Sequence, residues 1–576
     1  MPTVRRPIPA LPDRPRSIAI VPYLWRSYPV GRQEFSRAVV GQPLKLSFWT
    51  DTSFPKPVLA VLDTTLNAPR PGEWVSVPFE ESDDTAFTCS ITPTETGLYS
   101  FRARCSFDGG MTWMRDPVPD AWVLVDPAQI DGLRLYTMIP AASGSIQDWT
   151  NDLPRIKAMG FSAIHLLPVT TLDVSQSPYA AGDLFDVDHR YLMDGVSGDG
   201  LSQLEGYVQR ACELKMGLCF DLVLNHIGVQ SAMVKRAPEW IVPDSSRADG
   251  NKRARYWADG KWRAWEDLVL INYEHPSEIV RAEVWAYMIE YALFWAKYAD
   301  ATGSFVRFDN LHSGNPRFVE AVTRALREAY PSLAIIAEYF TDEGTLLGNV
   351  PDWRLNLVMA MPWNYAFAPR LRAYLQYLHR ISDHVRYFMP ITSHDSGSPA
   401  EEFGGAESTV PRYVAAALLG TGATGIVQGV ESGVGEKVRF IGPGEKQKRE
   451  AQPRFAKFLA AVNALLAEHD AFRTGSNCQF VDHGHDAIIA AYRRNPGLCF
   501  DSRCTGPAAE GGFLVVCNFD TRAAQRIEID LARELGGTGR FIGEELLAGT
   551  GARYDSERFT LTVPSCGAMV VKFARR

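Results

Sequence analysis

The central part of the chain alternates between short apolar runs and longer segments whose apolar residues recur at helical spacing. The short runs have the length and flanking polar clusters of buried strands. Eight strands are predicted on this basis, at Leu133–Ile139, Ser162–Val169, Gly217–Asn225, Ser304–Asp309, Leu333–Tyr339, Asn356–Met361, Arg386–Thr392 and Gly422–Gly429.

The longer segments carry an apolar stripe at positions three and four apart, which predicts amphipathic helices. In the first of them, Pro154 either kinks the helix or marks its start. The predicted helices are Ile146–Met159, Leu201–Met216, Ser277–Tyr298, Pro316–Tyr330 and Pro453–His469.

Strands that alternate with helices favour parallel βα units and therefore an α/β fold. Eight units in about 340 residues fit a (β/α)8 TIM barrel, which we place at residues 129–475. A long polar insert at about residues 227–276 follows the third strand. A doubly wound open sheet is the alternative, but no glycine-rich phosphate loop follows any strand, which counts against its dinucleotide-binding members.

The two flanking regions, residues 18–128 and 476–576, have the period-two pattern of antiparallel sheets. Arg102 and Arg104, for example, alternate with apolar neighbours, as expected for one solvated and one buried face. We predict an N-terminal and a C-terminal antiparallel β-sandwich. The strands expected in the latter are Ala487–Tyr492, Gly512–Asn518, Ala524–Ile529 and Phe559–Phe573.

Residues 1–17 are rich in proline and arginine and lack the apolar core of a secretory signal, so we expect a flexible lead-in. The nine cysteines form no CxxC pair or disulfide framework, which favours reduced thiols and a cytoplasmic protein. A net charge of −8 gives no reason to expect nucleic acid as a partner. No uninterrupted apolar run has the length of a membrane span, so no membrane partner is expected.

Polar residues gather where four of the predicted strands end. The third strand ends in Asp221–His226, the fourth in Arg307 and Asp309, the fifth in Glu338, and the seventh in His394-Asp395. Because the carboxyl ends of all barrel strands meet at one rim, these side chains are expected to lie together. Each one alone is explained as a capping or salt-bridge residue, but four at one rim indicate a catalytic site.

Arg307 and Asp309 are two residues apart, so on a strand both side chains point to the same face. We expect the guanidinium to lower the pKa of Asp309 and keep it ionised, as a carboxylate nucleophile requires. Glu338 follows Ile335 and Ile336, and apolar surroundings would raise its pKa, as a general acid requires. Such a carboxylate pair suits glycoside hydrolysis.

Other chemistries find less support. The HxH spacing of a metal site occurs only at His483-Gly484-His485, which we interpret as a polar turn of the C-terminal region. A Schiff-base aldolase requires a lysine at a strand end, and none of the eight predicted strands ends in one. A non-catalytic carbohydrate-binding protein on the same barrel is the remaining alternative.

These strand ends resemble the four short motifs of glycoside hydrolase family 13, the α-amylase family. The motifs are Asp221–His226 (DLVLNH), Arg307-x-Asp309, Glu338 and His394-Asp395. The resemblance implies a retaining hydrolase or transglycosylase that acts on α-1,4-linked glucans or maltooligosaccharides. It assigns Asp309 as the nucleophile, Glu338 as the acid/base and Asp395 as the stabiliser of the distorted sugar. It requires no cofactor and leaves calcium open.

The resemblance also implies a set of substrate-binding residues. Tyr179, in a stretch similar to the family's Tyr-x-x-x-Asp pattern, would serve as a stacking platform for a sugar, and His226 and His394 would donate to sugar hydroxyls. The segment Asp309-Asn310-Leu311-His312 resembles the branch that transfers maltosyl units from maltose 1-phosphate to α-glucan. Oligomeric state stays open. The expected substrate-binding residues are Tyr179, His226, Arg307, Asn310, His312 and His394.

Overall fold

The structure is a computed structural model, and the chain divides into two compact units, Met1–Ala128 and Gln129–Arg576. The predicted lead-in at residues 1–17 lies outside the described residues. The structure describes residues 19–22, 35–49, 57–81, 86–115, 120–193, 199–258, 260–442, 446–447, 452–475, 477–494, 511–535, 539–547 and 551–576.

Two sheets make up the described part of the first unit. One has the strand order β1-β3-β7-β6 and the other β2-β10-β8-β4-β5, with β9 paired to β8. Apolar side chains of both sheets form one core cluster, as in a sandwich. The strands are β1 Ala19–Pro22, β2 Phe35–Val39, β3 Leu44–Trp49, β4 Leu59–Thr64, β5 Val75–Pro78, β6 Glu80–Glu81, β7 Ala86–Ile91, β8 Gly97–Ser106, β9 Met114–Arg115 and β10 Ala121–Asp126.

The alternation predicted along β8 is confirmed, because Phe101 and Ala103 are buried and Arg102 and Arg104 are half-buried. One described pairing departs from an antiparallel sandwich: β10 pairs with β2 in parallel and with β8 antiparallel. Parallel neighbours require a long connection, which strands β3 to β9 supply here.

The second unit contains the barrel, the insert and a C-terminal pair of sheets. Its strands are β11 Leu133–Met138, β12 Ala163–Leu166, β13 Thr170–Leu172, β14 Ala181–Val187, β15 Gly217–Leu222, β16 His226–Gly228, β17 Arg253–Ala258, β18 Lys261–Leu270, β19 Phe305–Phe308, β20 Ala334–Ala337, β21 Leu357–Met359, β22 Tyr387–Pro390, β23 Ala423–Val427, β24 Cys478–Phe480, β25 Ile488–Arg494, β26 Gly511–Asn518, β27 Gln525–Asp530, β28 Phe541–Glu545, β29 Arg553–Ser556, β30 Arg558–Val563 and β31 Ala568–Arg575.

Eight parallel strands close into a barrel in the order β11-β12-β15-β19-β20-β21-β22-β23. The last strand pairs with the first, with Gly425 opposite Leu135. All eight predicted barrel strands are confirmed, and closure excludes the doubly wound open sheet. Buried apolar residues such as Leu135, Phe305 and Ile336 fill the interior, so the barrel is a packed core that fixes the positions of its strand ends.

The predicted helices are found within a few residues of their expected ends. Pro154 lies inside the first helix, which begins after a capping box at Ser145, so the proline does not mark the start. No described helix combines the length and apolar character needed to cross a membrane. The helices are α1 Ile146–Ala158, α2 Gly200–Glu213, α3 Ala232–Arg236, α4 Glu278–Ala301, α5 Pro316–Ala329, α6 Glu343–Asp352, α7 Ala368–Arg380, α8 Pro399–Glu402, α9 Thr409–Leu418, α10 Ala456–Glu468 and α11 Leu531–Glu534.

The insert after the third barrel strand is more ordered than its polar composition predicts. It folds into the sheet β16-β18-β17, whose strand β16 begins directly after the third-strand motif. Its aromatic residues, among them Tyr256 and Trp265, stack on one another. The insert is therefore a small folded element beside the barrel rim.

The C-terminal region contains the sheets β24-β25-β26-β31-β28-β29 and β27-β30, which enclose one apolar cluster. The prediction of a single strand at Phe559–Phe573 is wrong. The segment forms two strands, β30 and β31, separated by a turn in which Cys566 has a positive φ of 47°. The turn contains Pro564, Ser565 and Gly567, which are residues typical of turns, so the sequence did carry a signal for the break.

Candidate active site

The predicted strand-end residues meet at the carboxyl end of the barrel. Asp221 lies on β15 directly opposite Arg307 on β19, and Asp309 and Glu338 follow the ends of β19 and β20. The hydrogen bond from the Asp309 amide to the Leu222 carbonyl continues the β-ladder past the end of β19. Rigid strand ends therefore hold the acidic residues.

Arg307 lies at the centre of the site and contacts three carboxylates. Its Nη1 donates to Asp221 at 2.6 and 2.8 Å and to Asp309 at 3.2 Å. Its Nη2 donates to Glu338 at 2.8 Å. The guanidinium is buried, so these interactions are screened little by solvent. One cation thus holds three acidic side chains of neighbouring strands together.

The three carboxylates do not share this cation equally. Burial opposes ionisation of Asp221, but the charge of Arg307 and a contact with His165 outweigh it and lower the pKa of Asp221. For Asp309, burial and the adjacent charge of Glu338 outweigh Arg307, and its pKa is raised well above the usual value. Arg307 does act to lower the pKa of Asp309, but the prediction that this pKa is lowered overall is wrong, because burial and Glu338 outweigh the guanidinium.

Glu338 has a polar environment on one side of its carboxylate. Its Oε2 accepts hydrogen bonds from Arg307 and, at 2.8 Å, from the backbone amide of Asn310. Asn310 adopts a left-handed conformation with φ 46°, which turns its amide toward the glutamate.

Tyr179 lies in the turn between β13 and β14 and is buried. Its hydroxyl donates to Asp221 Oδ2 at 2.9 Å and lies 2.8 Å from His394 Nε2. The rings of Tyr179 and His394 stack with centroids 5.3 Å apart, and Phe440 packs edge-on against both. One face of the tyrosine ring is thus covered by His394.

His165 is a site residue that the sequence did not reveal. It lies on β12, where its Nε2 is 3.1 Å from Asp221 and its Nδ1 is 3.2 Å from Thr137. Burial lowers its pKa, although Asp221 opposes this effect. A histidine inside an otherwise apolar strand was the available signal, since a buried polar side chain requires a partner.

His226 is buried with both ring nitrogens lacking a hydrogen-bond partner among the described residues. Burial lowers its pKa to about 4, so the ring is neutral at physiological pH. A neutral imidazole carries one donor and one acceptor, and leaving both unpaired is costly. Among the described residues no carbonyl group satisfies either nitrogen of the ring.

Two predicted site residues are more exposed. The Asp395 side chain is 60% exposed, and its Oδ2 lies 3.2 Å from His394 Nε2. Lys437 donates to the Asp395 carbonyl at 2.8 Å from the loop that follows β23. His312 is exposed at the rim, where its ring lies 5.6 Å from that of Phe340. The structure thus places both at the open edge of the site.

The HxH segment of the C-terminal region lies in the turn that connects β24 and β25. Gly484, between His483 and His485, has a positive φ of 71°, as expected for a turn. Within the described ranges no group of three or more His, Cys, Asp or Glu side chains has the arrangement of a metal site.

Sequence comparison relates the chain to enzymes of α-glucan metabolism. A family model described as glycogen debranching enzyme, glucanotransferase domain, matches residues 126–242. An α-1,4-glucan:maltose-1-phosphate maltosyltransferase of Rhodospirillum rubrum is 24% identical over 480 residues, which are 75% of this chain and 64% of that protein. The chain therefore spans less than two thirds of this relative's own length.

Solved structures share the fold. A noncanonic maltogenic α-amylase from Thermotoga neapolitana superposes with a TM-score of 0.60 at 18% identity over 77% of this chain and 99% of that chain. A cyclomaltodextrinase superposes with a TM-score of 0.58 at 15% identity over 96% of this chain and 99% of that chain. The chain therefore shares the fold of these α-amylase-type structures and resembles the maltosyltransferases in sequence.

Proposed function

We propose that the protein is a retaining enzyme that cleaves and transfers glycosyl units of α-1,4-linked glucans. The observation that carries the proposal is the Arg307 guanidinium, which holds Asp309 and Glu338 together through its two terminal nitrogens. A retaining mechanism requires two carboxyl groups about 5–5.5 Å apart on opposite sides of the scissile bond. Two acids on one guanidinium, at neighbouring strand ends, suit that requirement.

In the first step the Asp309 carboxylate attacks the anomeric carbon while Glu338 donates its proton to the departing oxygen. A covalent glycosyl ester forms and the glycosidic bond breaks. In the second step Glu338 accepts the proton of an incoming hydroxyl group, whose oxygen displaces Asp309. Water gives hydrolysis and a sugar hydroxyl gives transfer. Asp395 and His394 would bind the sugar hydroxyls as the ring flattens.

The raised pKa of Asp309 suits the first step. Burial makes the ionised carboxylate of Asp309 unfavourable. Attack converts this buried charge into a neutral ester, so the unfavourable interaction is relieved as the bond forms. Glu338 becomes negatively charged when it gives its proton to the leaving group, so the total charge of Asp309 and Glu338 stays constant through the step.

The finer assignment is maltosyl transfer from maltose 1-phosphate to an α-glucan acceptor. It is favoured by the Rhodospirillum rubrum relative and by further maltosyltransferases of similar identity. A product screen tests it with maltose 1-phosphate and glycogen, against maltooligosaccharides with and without inorganic phosphate. Release of phosphate with chain extension supports the assignment. Cleavage of maltooligosaccharides alone, unaffected by phosphate, contradicts it and favours a hydrolase.

The catalytic roles are tested with an α-glycosyl fluoride, which departs without protonation. The variant Glu338→Ala should still glycosylate Asp309 and accumulate the ester, because no base activates water. Added azide should release it as the α-azide. Asp309→Ala, if rescued by azide, should give the β-azide by direct displacement. Product stereochemistry is measured by nuclear magnetic resonance.

The opposite stereochemical pattern would exchange the two roles. If both alanine variants lost turnover of the fluoride equally, and azide rescued neither while their thermal midpoints stayed native, the assignment of Asp309 and Glu338 as the catalytic pair would be contradicted. The conservative Glu338→Gln and Asp309→Asn variants serve as matched controls, because they preserve side-chain volume and remove only the acid–base group and the nucleophile, respectively.

A further inference from the structure

Four neighbouring strands of the barrel each contribute one buried polar side chain. These side chains are Thr137 on β11, His165 on β12, Asp221 on β15 and Arg307 on β19. Thr137 lies directly opposite His165, and Asp221 lies directly opposite Arg307. His165 pairs with Cys219, and Asp221 follows Cys219 by two residues, so both residues of β15 point into the barrel. The register of the strands therefore brings the four polar side chains into one row.

The neighbours of His165 fix the position of the proton on its ring. Nε2 lies 3.1 Å from Asp221 Oδ2, and Nδ1 lies 3.2 Å from Thr137 Oγ1. Burial lowers the pKa of His165, so the ring is neutral at neutral pH. An ionised Asp221 can only accept, so Nε2 carries the proton and Nδ1 accepts from the threonine hydroxyl. His165 thus donates to Asp221 without placing a second cation beside Arg307.

Among the described residues, three side chains contact the Asp221 carboxylate. Besides His165 they are Tyr179, whose hydroxyl lies 2.9 Å from Oδ2, and Arg307, whose Nη1 contacts both oxygens. Tyr179 and Arg307 also contact other residues of the candidate active site. The second hydrogen bond of His165 instead goes to Thr137, on the far side from Asp221. His165 is therefore the contact that ties Asp221 to the barrel wall.

We propose that His165 is a positioning residue, which holds Asp221 and thereby fixes the orientation of the Arg307 guanidinium. The inference rests on the proposed function for the reaction. The guanidinium is planar and also contacts Asp309 and Glu338, so a rotation of Asp221 that draws Nη1 with it moves Nη2 as well. Misplacement of reacting groups by about 1 Å lowers turnover by about a hundredfold. His165 therefore acts on bond cleavage and not on sugar binding.

The test compares the wild-type protein with His165→Phe, which keeps a planar ring and removes both hydrogen bonds. Turnover of α-maltosyl fluoride is measured as a function of its concentration. We expect kcat to fall about tenfold or more, because Asp221 and the guanidinium lose their fixed orientation. KM should change by less than about twofold, because the side chains that contact the sugar are unaltered.

Two further variants separate the hydrogen bond from the shape of the ring. His165→Gln keeps an N–H group that can reach Asp221, so it should recover most of the kcat lost in His165→Phe. Thr137→Val preserves the volume of the side chain and removes the hydroxyl that fixes the tautomer. Its kcat should lie between those of the wild-type protein and His165→Phe.

A buried histidine remote from the site supplies the matched control. The ring nitrogens of His379 lie within hydrogen-bonding distance of the carbonyl groups of Gly475 and Leu419. His379→Phe should lower the thermal midpoint and leave kcat unchanged, as expected for a histidine with a purely structural role.

A measurement on the wild-type protein requires neither a folded variant nor turnover. Nitrogen nuclear magnetic resonance of protein with isotope-labelled histidine distinguishes the two neutral tautomers and the charged ring. The His165 signals are those absent from His165→Gln. We expect a neutral ring with its proton on Nε2, in the presence and absence of maltose.

A folded His165→Phe variant with the kcat of the wild-type protein would overturn the inference. Equal losses of kcat in His165→Phe and His165→Gln would also overturn it, because the donor to Asp221 would then be irrelevant. A wild-type ring protonated on Nδ1 alone would exclude donation to Asp221 and have the same consequence. Absent turnover of the fluoride by the wild-type protein would contradict the proposed function, and the tautomer would still decide whether His165 holds Asp221.

Discussion

The Asp309→Asn variant should be more stable than the wild-type protein at neutral pH. Asparagine has the shape of aspartate and keeps an oxygen that accepts from Arg307 Nη1, which lies 3.2 Å from Asp309 Oδ1. It removes the charge that burial and Glu338 make unfavourable. A nucleophile held in an unfavourable state contributes to function at the expense of stability.

The pH dependence follows from the direction of the pKa shift. A carboxyl group whose pKa is raised in the folded state contributes stability that is complete below its unfolded pKa and is lost as pH rises through the folded value. Each unit of that shift corresponds to about 1.4 kcal/mol. The difference between Asn and wild type should therefore be small near pH 4 and grow to at least about 1.4 kcal/mol above the folded pKa.

The assay is thermal unfolding followed by intrinsic fluorescence from pH 4.5 to 8. A gain of this size corresponds to a midpoint shift of about 2 °C or more for a large unit. Asp395→Asn is the control, because that side chain is 60% exposed and its charge should cost little. A lower midpoint for Asp309→Asn at pH 7.5, or a gain that does not change with pH, would refute the reasoning.

Three further outcomes are expected. Arg307→Met should lower the free energy of unfolding by about 3–5 kcal/mol because it leaves the buried Asp221 carboxylate without its cation, and adding Asp221→Asn should recover part of this loss in chemical denaturation. His226→Ala and His394→Ala should lower kcat more than they raise KM, since their bonds to sugar hydroxyls strengthen in the transition state; unchanged kcat in both would remove them from the site. Dialysis against EDTA should leave turnover and the thermal midpoint unchanged, whereas a loss that calcium restores would reveal a calcium site.

The barrel was predictable because its strands are buried on both faces. Runs such as Leu333–Ala337 are apolar throughout and are separated by helices with a clear apolar stripe, so period and length identify both element types. The residues at the strand ends were predictable for a related reason. A charged residue that follows a fully apolar run, as Glu338 follows Ile336, is conspicuous, and the parallel topology brings all such residues to one rim.

The distribution of charge within the site was not predictable from spacing. Arg307 and Asp309 are neighbours on one strand, so a pairwise view assigns the guanidinium to Asp309. The structure shows that Asp221, on the adjacent strand, makes the two shortest bonds to Nη1. Lateral neighbours depend on strand register, which the sequence does not reveal, and His165 was missed for the same reason.

Register also explains why one arginine can contact two carboxylates whose pKa values are shifted in opposite directions. Asp221 is buried deeper in the barrel and takes the strongest contacts with Arg307, so it stays ionised and fixes the guanidinium in place. Asp309 lies two positions farther along β19 and receives a longer contact from the same nitrogen. Because the cation is largely neutralised by Asp221, it orients Asp309 without fully stabilising its charge. A lysine at position 307 could not do this, since its single ammonium lacks the planar fork that reaches Asp221, Asp309 and Glu338 at once.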